Sequence, residues 1–354
     1  MFLALRELRA ARGRFALMGA VVALIAALVG VVSGFTAGLG DDTVSALRAL
    51  PADRIAFSAH AGTDFARSGV DPATAAGMAA APGVRATPLG VTITRGTTRR
   101  GVPVDVAAFG VDPAGFLAPR GLTGDGVVVS RGLADDGVRV GDTLVIDRIG
   151  LRVPVVGVAG RAAYGHVPAA YVSLDTWEKI RASSGPREYS AVALKTGDRA
   201  DVAALDRRFG TRTVARDAAF AAAPGYSGER ITMNSILVFL YLIAPLVVGA
   251  FFAVWTVQRT PELALLRALG AARRRLLGHT MLQAALVVVG ASAVGGALAA
   301  AVGAALGSAV PFSLPPGTLL GTVAAVSVAG LAGSALTLRR VTSPDPLTML
   351  GANR

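Results

Sequence analysis

Three charge-free apolar stretches limit what this chain of 354 residues can fold into. They run from Phe15 to Gly40, from Ile231 to Val257 and from Leu276 to Leu338. A helix needs about 20 apolar residues to cross a hydrocarbon layer about 30 Å thick, so the third stretch is long enough to cross twice. Only 16% of the residues are charged, against about 25% in a typical soluble domain. The sequence therefore predicts an integral membrane protein with four transmembrane α-helices.

A proline-rich segment from Val310 to Gly317 divides the third stretch, because its three prolines cannot lie inside a regular helix. The first stretch is longer than the apolar region of a signal peptide, which is about 7–15 residues, and no small-residue cleavage site follows it. These features favour an uncleaved anchor over a signal peptide. We expect transmembrane helices at residues 15–38, 233–257, 280–307 and 317–338, with an outer loop at 308–316.

Arginine clusters beside the apolar stretches predict the orientation of the chain. With four crossings all the clusters fall on one side, and short basic flanks mark the cytoplasmic side. We therefore expect a multi-pass protein of the cytoplasmic (inner) membrane with both termini in the cytoplasm. The cytoplasmic parts are then the N-terminal segment 1–14, the segment 258–279 and the tail 339–354, and residues 39–232 lie outside. The clusters consist of Arg6, Arg9, Arg12 and Arg14, of Arg259, Arg267 and Arg273 to Arg275, and of Arg339 and Arg340.

The net charge of +12 is not the signature of a nucleic-acid-binding protein, because it is concentrated beside the apolar stretches. Residues 1–38, 258–280 and 339–354 together carry a net charge of +9. Residues 39–232 hold 23 Lys and Arg against 20 Asp and Glu. We expect the lipid bilayer, and no nucleic acid, as a partner.

Residues 39–232 are expected to form a large α+β extracytoplasmic domain between the first and second transmembrane helices, β-rich at about 115–160. Asp71 can cap a helix that begins at Pro72, and Gly210 can end another that starts near Ala200. A further helix is expected at Thr176–Ser183. The predicted strands are Arg54–Ser58, Val91–Thr94, Val102–Phe109, Val127–Ser130, Thr143–Ile146, Arg152–Val158, Ala170–Ser173 and Ser190–Leu194.

The sequence lacks the motifs of the common catalytic sites. Lys195-Thr196 could end an ATP-binding loop, but Tyr189 and Leu194 occupy the positions that need glycine. Ser130 lacks the Gly-x-Ser-x-Gly frame of an esterase and is interpreted as a helix N-cap. There is no cysteine, and the three histidines lie far apart in sequence. We expect no enzyme activity, metal or cofactor on this chain.

Glycine and alanine are concentrated in the third and fourth predicted spans, as in Gly290–Gly296 and Gly330–Gly333. Small residues let helices approach closely within a membrane. The pattern indicates close packing inside one subunit, and a subunit interface is the alternative.

The cytoplasmic segment between the second and third spans has a helix pattern of its own. Pro261 can begin a helix whose positive end suits Glu262, and Gly270 can end it. We expect a short helix at about 260–270 followed by a basic elbow at Arg273–Arg275, with a plain positive-inside loop as the alternative. The apolar ridge of this helix consists of Leu263, Leu266 and Leu269.

This segment resembles the Glu-x-x-x-Leu-Arg-Ala-x-Gly-Ala signature that follows the second span of FtsX/MacB-type permeases, the membrane subunits of type VII ABC transporters. Residues 127–134 and 140–143 are similar to the outer domain of that family, and Ser343–Leu347 to its cytoplasmic ending. The order of one span, a large outer domain and three further spans also agrees. The matching signature residues are Glu262, Leu266, Arg267, Ala268, Gly270 and Ala271.

The resemblance implies the membrane permease subunit of an ABC-type exporter. Such a subunit works as a homodimer bound to two copies of a separate ABC ATPase, which holds the ATP and Mg²⁺. The segment 258–279 would then be a coupling helix that rests in a groove of the ATPase and passes its ATP-driven closure to the outer domain. The implied coupling residues are Glu262 and Arg267, which position the helix, Leu266 on its ridge, Gly270, which ends it, and Arg273, Arg274 and Arg275, which anchor it.

The opening of the chain, including Leu5–Arg9 and Leu50-Pro51, is most similar to the short DevC and haem-exporter branch of this family. The branch implies a hydrophobic or amphiphilic substrate, with haem as a candidate. Haem needs an axial ligand such as Met, Tyr or His. Each side chain of that type also fits a packing or interfacial role, and no haem site is assigned. The side chains considered are Met18, Met233, Tyr241, Tyr164 and His166.

Two other functions fit the same sequence. An FtsX-like mechanotransmission protein would use its outer domain to regulate a cell-wall hydrolase, and that domain would bind a partner protein. A passive membrane-anchored binding domain would associate with no ATPase.

Overall fold

The computed structural model describes residues 12–182, 184–197, 200–258, 273–307 and 310–341. The chain forms two compact units. The membrane unit comprises Met1–Gly38 and Ile231–Arg354, and the α+β unit comprises Leu39–Arg230. The α-helices of the described residues are α1 (Arg12–Ala49), α2 (Pro72–Ala79), α3 (Arg131–Asp135), α4 (Leu174–Arg181), α5 (Val202–Phe209), α6 (Tyr226–Gln258), α7 (Arg273–Leu306) and α8 (Pro316–Val341).

Four of these helices are long and apolar enough to cross a membrane: α1, α6, α7 and α8. The predicted fold class, four transmembrane helices with an α+β domain after the first, is confirmed. The first helix continues to Ala49, past the span expected at residues 15–38, and α6 already begins at Tyr226. Their added turns contain charged residues but no proline, so the helix continues where the apolar stretch has ended.

The α+β unit is built on a ten-stranded sheet with the order β10-β1-β9-β2-β3-β8-β4-β6-β5, in which β7 pairs with β8. An additional pairing between β2 and β5 closes the strands β2-β3-β8-β4-β6-β5 into a ring. Within the sheet, β3–β8 and β4–β6 pair in parallel. The strands are β1 (Arg54–Ser58), β2 (Val84–Thr97), β3 (Pro103–Val111), β4 (Val127–Val129), β5 (Thr143–Ile146), β6 (Leu151–Val158), β7 (Ala163–Tyr164), β8 (Val167–Ser173), β9 (Ala191–Thr196) and β10 (Thr211–Ala215).

Each predicted strand coincides with or overlaps a strand of the structure. The predicted caps of two helices are also confirmed: the Asp71 side chain accepts from the backbone N–H of Thr74 at 2.8 Å, and Gly210 ends α5 in the left-handed conformation. The predicted position of Ser130 as a helix N-cap is confirmed. Ser130 occupies the N-cap position of α3, but its buried hydroxyl makes no capping bond and has no hydrogen-bond partner.

Strand content extends on both sides of the β-rich middle expected at about 115–160, because the sheet draws on strands from Arg54 to Ala215. The largest buried side chain of the unit, Trp177 of α4, packs on Gly90 of β2 and Gly110 of β3, which are paired in register. A Cβ on Gly110 would lie 2.5 Å from the Trp177 Cβ, so these glycines make room for the indole ring. The indole N–H donates to the Thr92 hydroxyl at 3.1 Å.

Candidate functional site

The predicted coupling residues fall mostly on residues 259–272, which the structure does not describe. Glu262, Leu266, Arg267 and Gly270 lie outside the described residues. Arg273, Arg274 and Arg275 are the first three residues of α7. The segment is flanked by the end of α6 at Gln258 and the start of α7 at Arg273. Its role in binding an ATPase stays a prediction.

In the membrane unit, α1 and α7 pack against each other through small residues. A Cβ on Gly30 of α1 would lie 2.7 Å from the Cβ of Ala299, and a Cβ on Gly295 would lie 2.6 Å from that of Ala26. Nearer the start of both helices, a Cβ on Gly19 would lie 4.0 Å from the Cβ of Ala291. These contacts advance together along both sequences, so the two helices run parallel. Close packing inside one subunit, which the glycine and alanine pattern predicts, is confirmed for this pair.

Phe312 fills a notch at one end of the same helix pair. A Cβ on Gly34 of α1 or on Gly303 of α7 would overlap the Phe312 ring, at less than 3.0 Å. The ring also meets Phe35 edge-to-face at a centroid distance of 5.4 Å. The backbone N–H of Ser313 donates to the Gly34 carbonyl at 3.0 Å. Phe312 therefore joins the segment before α8 to both α1 and α7.

A second close approach joins α6 to α8. Pro245 lies inside α6, where it lacks the N–H that would bond the previous turn. Gly333 of α8 lies directly against the backbone carbonyl of Pro245. Next to it, a Cβ on Gly330 would lie 2.9 Å from the side chain of Val288 in α7. The glycine contacts of the membrane unit are therefore made with backbone atoms and apolar side chains.

The candidate haem ligands of the membrane unit do not form a common site. Met18 is 5% exposed and belongs to an apolar cluster with Val22 and Phe252. Tyr241 packs on a different cluster, around Ala26 and Val326, and Met233 is half-buried. Met18 therefore has a packing role, as predicted.

The two candidates in the α+β unit are occupied by other partners. The Tyr164 hydroxyl donates to the Ala222 carbonyl at 2.9 Å, and burial raises the pKa of this phenol. The two ring nitrogens of His166 lie 3.0 Å from Asp42 and 2.8 Å from Glu229. An axial haem ligand needs a free ring nitrogen, so His166 in this arrangement is not available as one.

The α+β unit also has an open cleft of about 340 Å³ beside the start of α4. Charged side chains line much of it, and its Arg187 is already paired with Asp175 at 2.5 Å and with Glu178 at 3.2 Å. This lining does not suit an apolar ligand. Among the residues that the structure describes, no group of His, Asp and Glu could hold a metal ion.

Comparison with known proteins connects the membrane unit to one family. Residues 234–346 match the FtsX-like permease C-terminal family. This match includes the second, third and fourth membrane-spanning helices and the segment 259–272. The matched residues do not include the α+β unit, Leu39–Arg230.

Individual relatives match either about half of the chain or nearly all of it. The "Putative hemin transport system permease protein HrtB" of Staphylococcus epidermidis is 22% identical over 200 residues, so the match spans only about half (56%) of each chain. The protein of the same name from Staphylococcus haemolyticus is 20% identical over 357 residues, 99% of each chain. An uncharacterized ABC transporter permease of Mycobacterium tuberculosis is 27% identical over 376 residues, again 99% of each chain.

Solved structures show similarity over part of the chain. The periplasmic region of MacB from Actinobacillus actinomycetemcomitans aligns with a TM-score of 0.37 and 11% identity, covering 49% of this chain and 92% of the other. The extracellular domain of YknZ, a noncanonic ABC-type transporter from Gram-positive bacteria, aligns with a TM-score of 0.34 and 15% identity, covering 46% and 98%.

Proposed function

We propose that this chain is an ABC transporter permease of the FtsX family, which its similarity to that family and to ABC transporter permeases supports, and that it couples ATP hydrolysis on a separate ATPase to movement of its α+β unit. The observation that carries the proposal is the continuity of α6. This helix runs from Tyr226 to Gln258, the residue before the segment 259–272. A helix is stiff along its axis, so a displacement of that segment would be passed along α6 toward the α+β unit.

The proposed partner is an ABC ATPase in two copies, bound to a homodimer of this chain. The segment 259–272 would be the contact, with Glu262 and Arg267 positioning a short helix in a groove of the ATPase. The chain itself would supply no catalytic group. The termini and this segment would lie in the cytoplasm, as the flanking arginines favour.

The packing inside the membrane unit supports movement of the α+β unit over passage of a substrate through one subunit. The α1–α7 pair is closed by contacts such as Gly30 with Ala299, and Phe312 fills its notch. A pathway between these helices would have to break packing that leaves no room for a methyl group. We propose that the substrate is hydrophobic or amphiphilic and is extracted from the membrane or its outer surface.

Haem is the proposed candidate substrate, and its support comes from relatives named as hemin transport permeases at 20–22% identity. The described candidate ligands do not add to this support, because Met18 and Tyr164 are buried and His166 is occupied.

The test is the ATPase activity of the full chain co-purified with a candidate ABC ATPase in lipid nanodiscs. Haem is titrated while the Soret band is followed. We expect a stable complex whose ATPase rate is higher than that of the ATPase alone. Saturable stimulation with a Soret shift supports haem, and stimulation by this chain without a haem response moves the substrate to lipids or peptides. Failure of the chain to bind or stimulate any ABC ATPase would overturn the proposed function.

A further inference from the structure

His166 lies in a backbone conformation that histidine rarely adopts. It is the second residue of the tight turn between β7 and β8, in which Tyr164 pairs with Val167. The two turn residues, Gly165 and His166, have φ values of +58° and +63°. Two successive positive φ values are typical of hairpin turns that favour Gly, Asn or Asp. A strained residue at such a position suggests a role for its side chain.

The side chain of His166 bridges two helices of the α+β unit. Its Nδ1 lies 3.0 Å from an Oδ of Asp42 in α1, and its Nε2 lies 2.8 Å from an Oε of Glu229 in α6. Ionised carboxylates only accept hydrogen bonds, and a neutral imidazole has only one N–H. With neutral His166 and both carboxylates ionised, only one of the two contacts can be a hydrogen bond. Both become hydrogen bonds when the three side chains bind one further proton.

The turn is fixed to α1 by bonds that do not involve the imidazole. The Gly165 N–H donates to the Thr43 carbonyl at 2.9 Å, and the Ala163 N–H donates to the Ser45 hydroxyl at 2.9 Å. The contact with α6 has less support: besides His166, Glu229 meets the Thr43 hydroxyl at 3.2 Å, and that hydroxyl also lies 2.7 Å from the Leu39 carbonyl. Beside the apolar packing of Tyr226 on Phe220, the His166–Glu229 contact is therefore the short polar link between this turn and the first turn of α6.

The charges around His166 are well defined. Asp42 of α1 and Glu229 of α6 face its ring, and burial, which opposes the charge, is outweighed by these two carboxylates, so that its pKa is raised above the ordinary 6.5. Asp41 of α1 is paired with Arg48, and the Arg230 guanidinium of α6 lies over the Tyr226 ring at 5.9 Å. From β7, Tyr164 stays neutral because burial raises its pKa. The His166 side chain is 37% exposed, so protons in the surrounding water reach it.

We propose that His166 is a proton-dependent clasp in the α+β unit, holding the first turn of α6 to α1 when protonated and releasing it when neutral. A group with a raised pKa contributes its stabilisation fully below its ordinary pKa and loses it as the pH rises through the raised value. The clasp is therefore closed below the ordinary histidine pKa of 6.5 and opens as the pH rises through the raised value. The state of the clasp sets how tightly the end of α1 and the start of α6 are held to each other. Both helices continue into the membrane unit. The inference concerns this unit alone and does not depend on an ATPase.

The absence of cysteine allows a direct test on the full chain. Two exposed positions, Ala49 at the end of α1 and Ser227 in the first turn of α6, are changed to cysteine and spin-labelled in nanodiscs. Distance distributions are measured by pulsed electron spin resonance at pH about 6 and about 9, below and above the ordinary histidine pKa. We expect a narrow distribution at the lower pH and a shifted, broader one at the higher pH.

The matched control is His166→Asn, because asparagine fits a left-handed turn but has no titratable proton. In this variant we expect the pH-dependent shift to be lost, with the broad distribution at both pH values. Glu229→Gln removes the carboxylate and should also abolish the shift. With the three histidines labelled at Cε1, the NMR titration of His166 gives its protonation directly, and His166→Asn identifies its signal. The inference is overturned if the distance distribution does not change while His166 titrates, or if His166→Asn keeps the wild-type pH response.

Discussion

Gly333 of α8 lies against the backbone carbonyl of Pro245 in α6, so closely that any side chain at position 333 would overlap it. Proline has no N–H for the preceding turn, so the backbone around residue 245 is less restrained than the rest of α6. The glycine lets α8 support that weak point. The same helix carries the proposed displacement, so the contact affects both stability and coupling.

Gly333→Ala should therefore destabilise the membrane unit, by about 1–3 kcal/mol, because an added methyl group forces backbone shifts in a well-packed interior. The measurement is thermal or SDS-induced unfolding of the purified chain. Gly321→Ala is the matched control on the same helix, since a Cβ there meets nothing within 4 Å. Equal stability of the two variants would show that α8 can move away from Pro245 at little cost in free energy, and would contradict the prediction.

Phe312→Ala should destabilise the same unit by about 3 kcal/mol, because it empties the notch formed by Gly34 and Gly303. A second expected effect is faster proteolysis of the segment before α8, since the ring holds it to α1. Leu320→Ala removes a side chain that is 69% exposed and serves as the control. If Phe312→Ala unfolds like that control, the notch does not contribute to stability.

Glu262→Ala and Gly270→Pro should abolish stimulation of the partner ATPase while leaving the chain inserted and folded. Glu262→Ala removes the proposed positioning charge. Gly270→Pro fixes φ near −65° and removes the N–H at the residue expected to end the helix. ATPase rates and membrane insertion are measured in parallel, with Glu178→Ala in the α+β unit as a matched acidic control. Full stimulation by both variants would mean that the coupling assignment is wrong.

Asp71→Ala should lower the stability of the α+β unit by about 1 kcal/mol at neutral pH, because Asp71 caps α2. The pKa of Asp71 is lowered mainly by the Thr74 N–H and then by the Thr74 hydroxyl. A lowered pKa contributes stability above the ordinary value of 3.8 that is lost as the pH falls through the lowered value. Unfolding followed from neutral to acidic pH should show the difference from wild type shrinking. Asp71→Ser retains a cap and should keep most of the neutral-pH stability, and a loss equal to that of Asp71→Ala would contradict the capping role.

The sequence predicts the architecture well because its strongest signals are local. Charge-free stretches indicate contact with lipid, and cap residues such as Asp71 and Gly210 act within one turn of a helix. The length of α1 is harder to predict, since charges at Asp41 and Asp42 mark the onset of water and not the end of the helix. The sequence does not indicate β7 or β10, because a two-residue run and an isolated five-residue run give little periodicity.

The contacts of the candidate sites depend on pairings between distant parts of the chain. His166 meets Asp42 and Glu229 across 124 and 63 residues of sequence, which no local pattern can show. The only local signal is a Gly-His pair between Tyr164 and Val167, in a position where a tight turn would favour Gly-Asn or Asn-Gly. The coupling residues are the reverse case: their motif is local and readable, and its role lies in a contact with another protein.

The first strand of the α+β unit pairs with the last, Arg54 opposite Ala215, and Leu47 of α1 is buried in the same core as Phe220. The unit therefore cannot close its sheet until the chain has been synthesised as far as β10. Until then β1 presents an unpaired edge, and its neighbour β9 is itself more than 130 residues away, Leu194 pairing with Arg54. Folding of such distant strands is slow and exposes aggregation-prone surface. We expect biogenesis of this protein to depend on chaperones on the side of the membrane where the α+β unit folds, and to be most sensitive to mutations that delay β9 and β10.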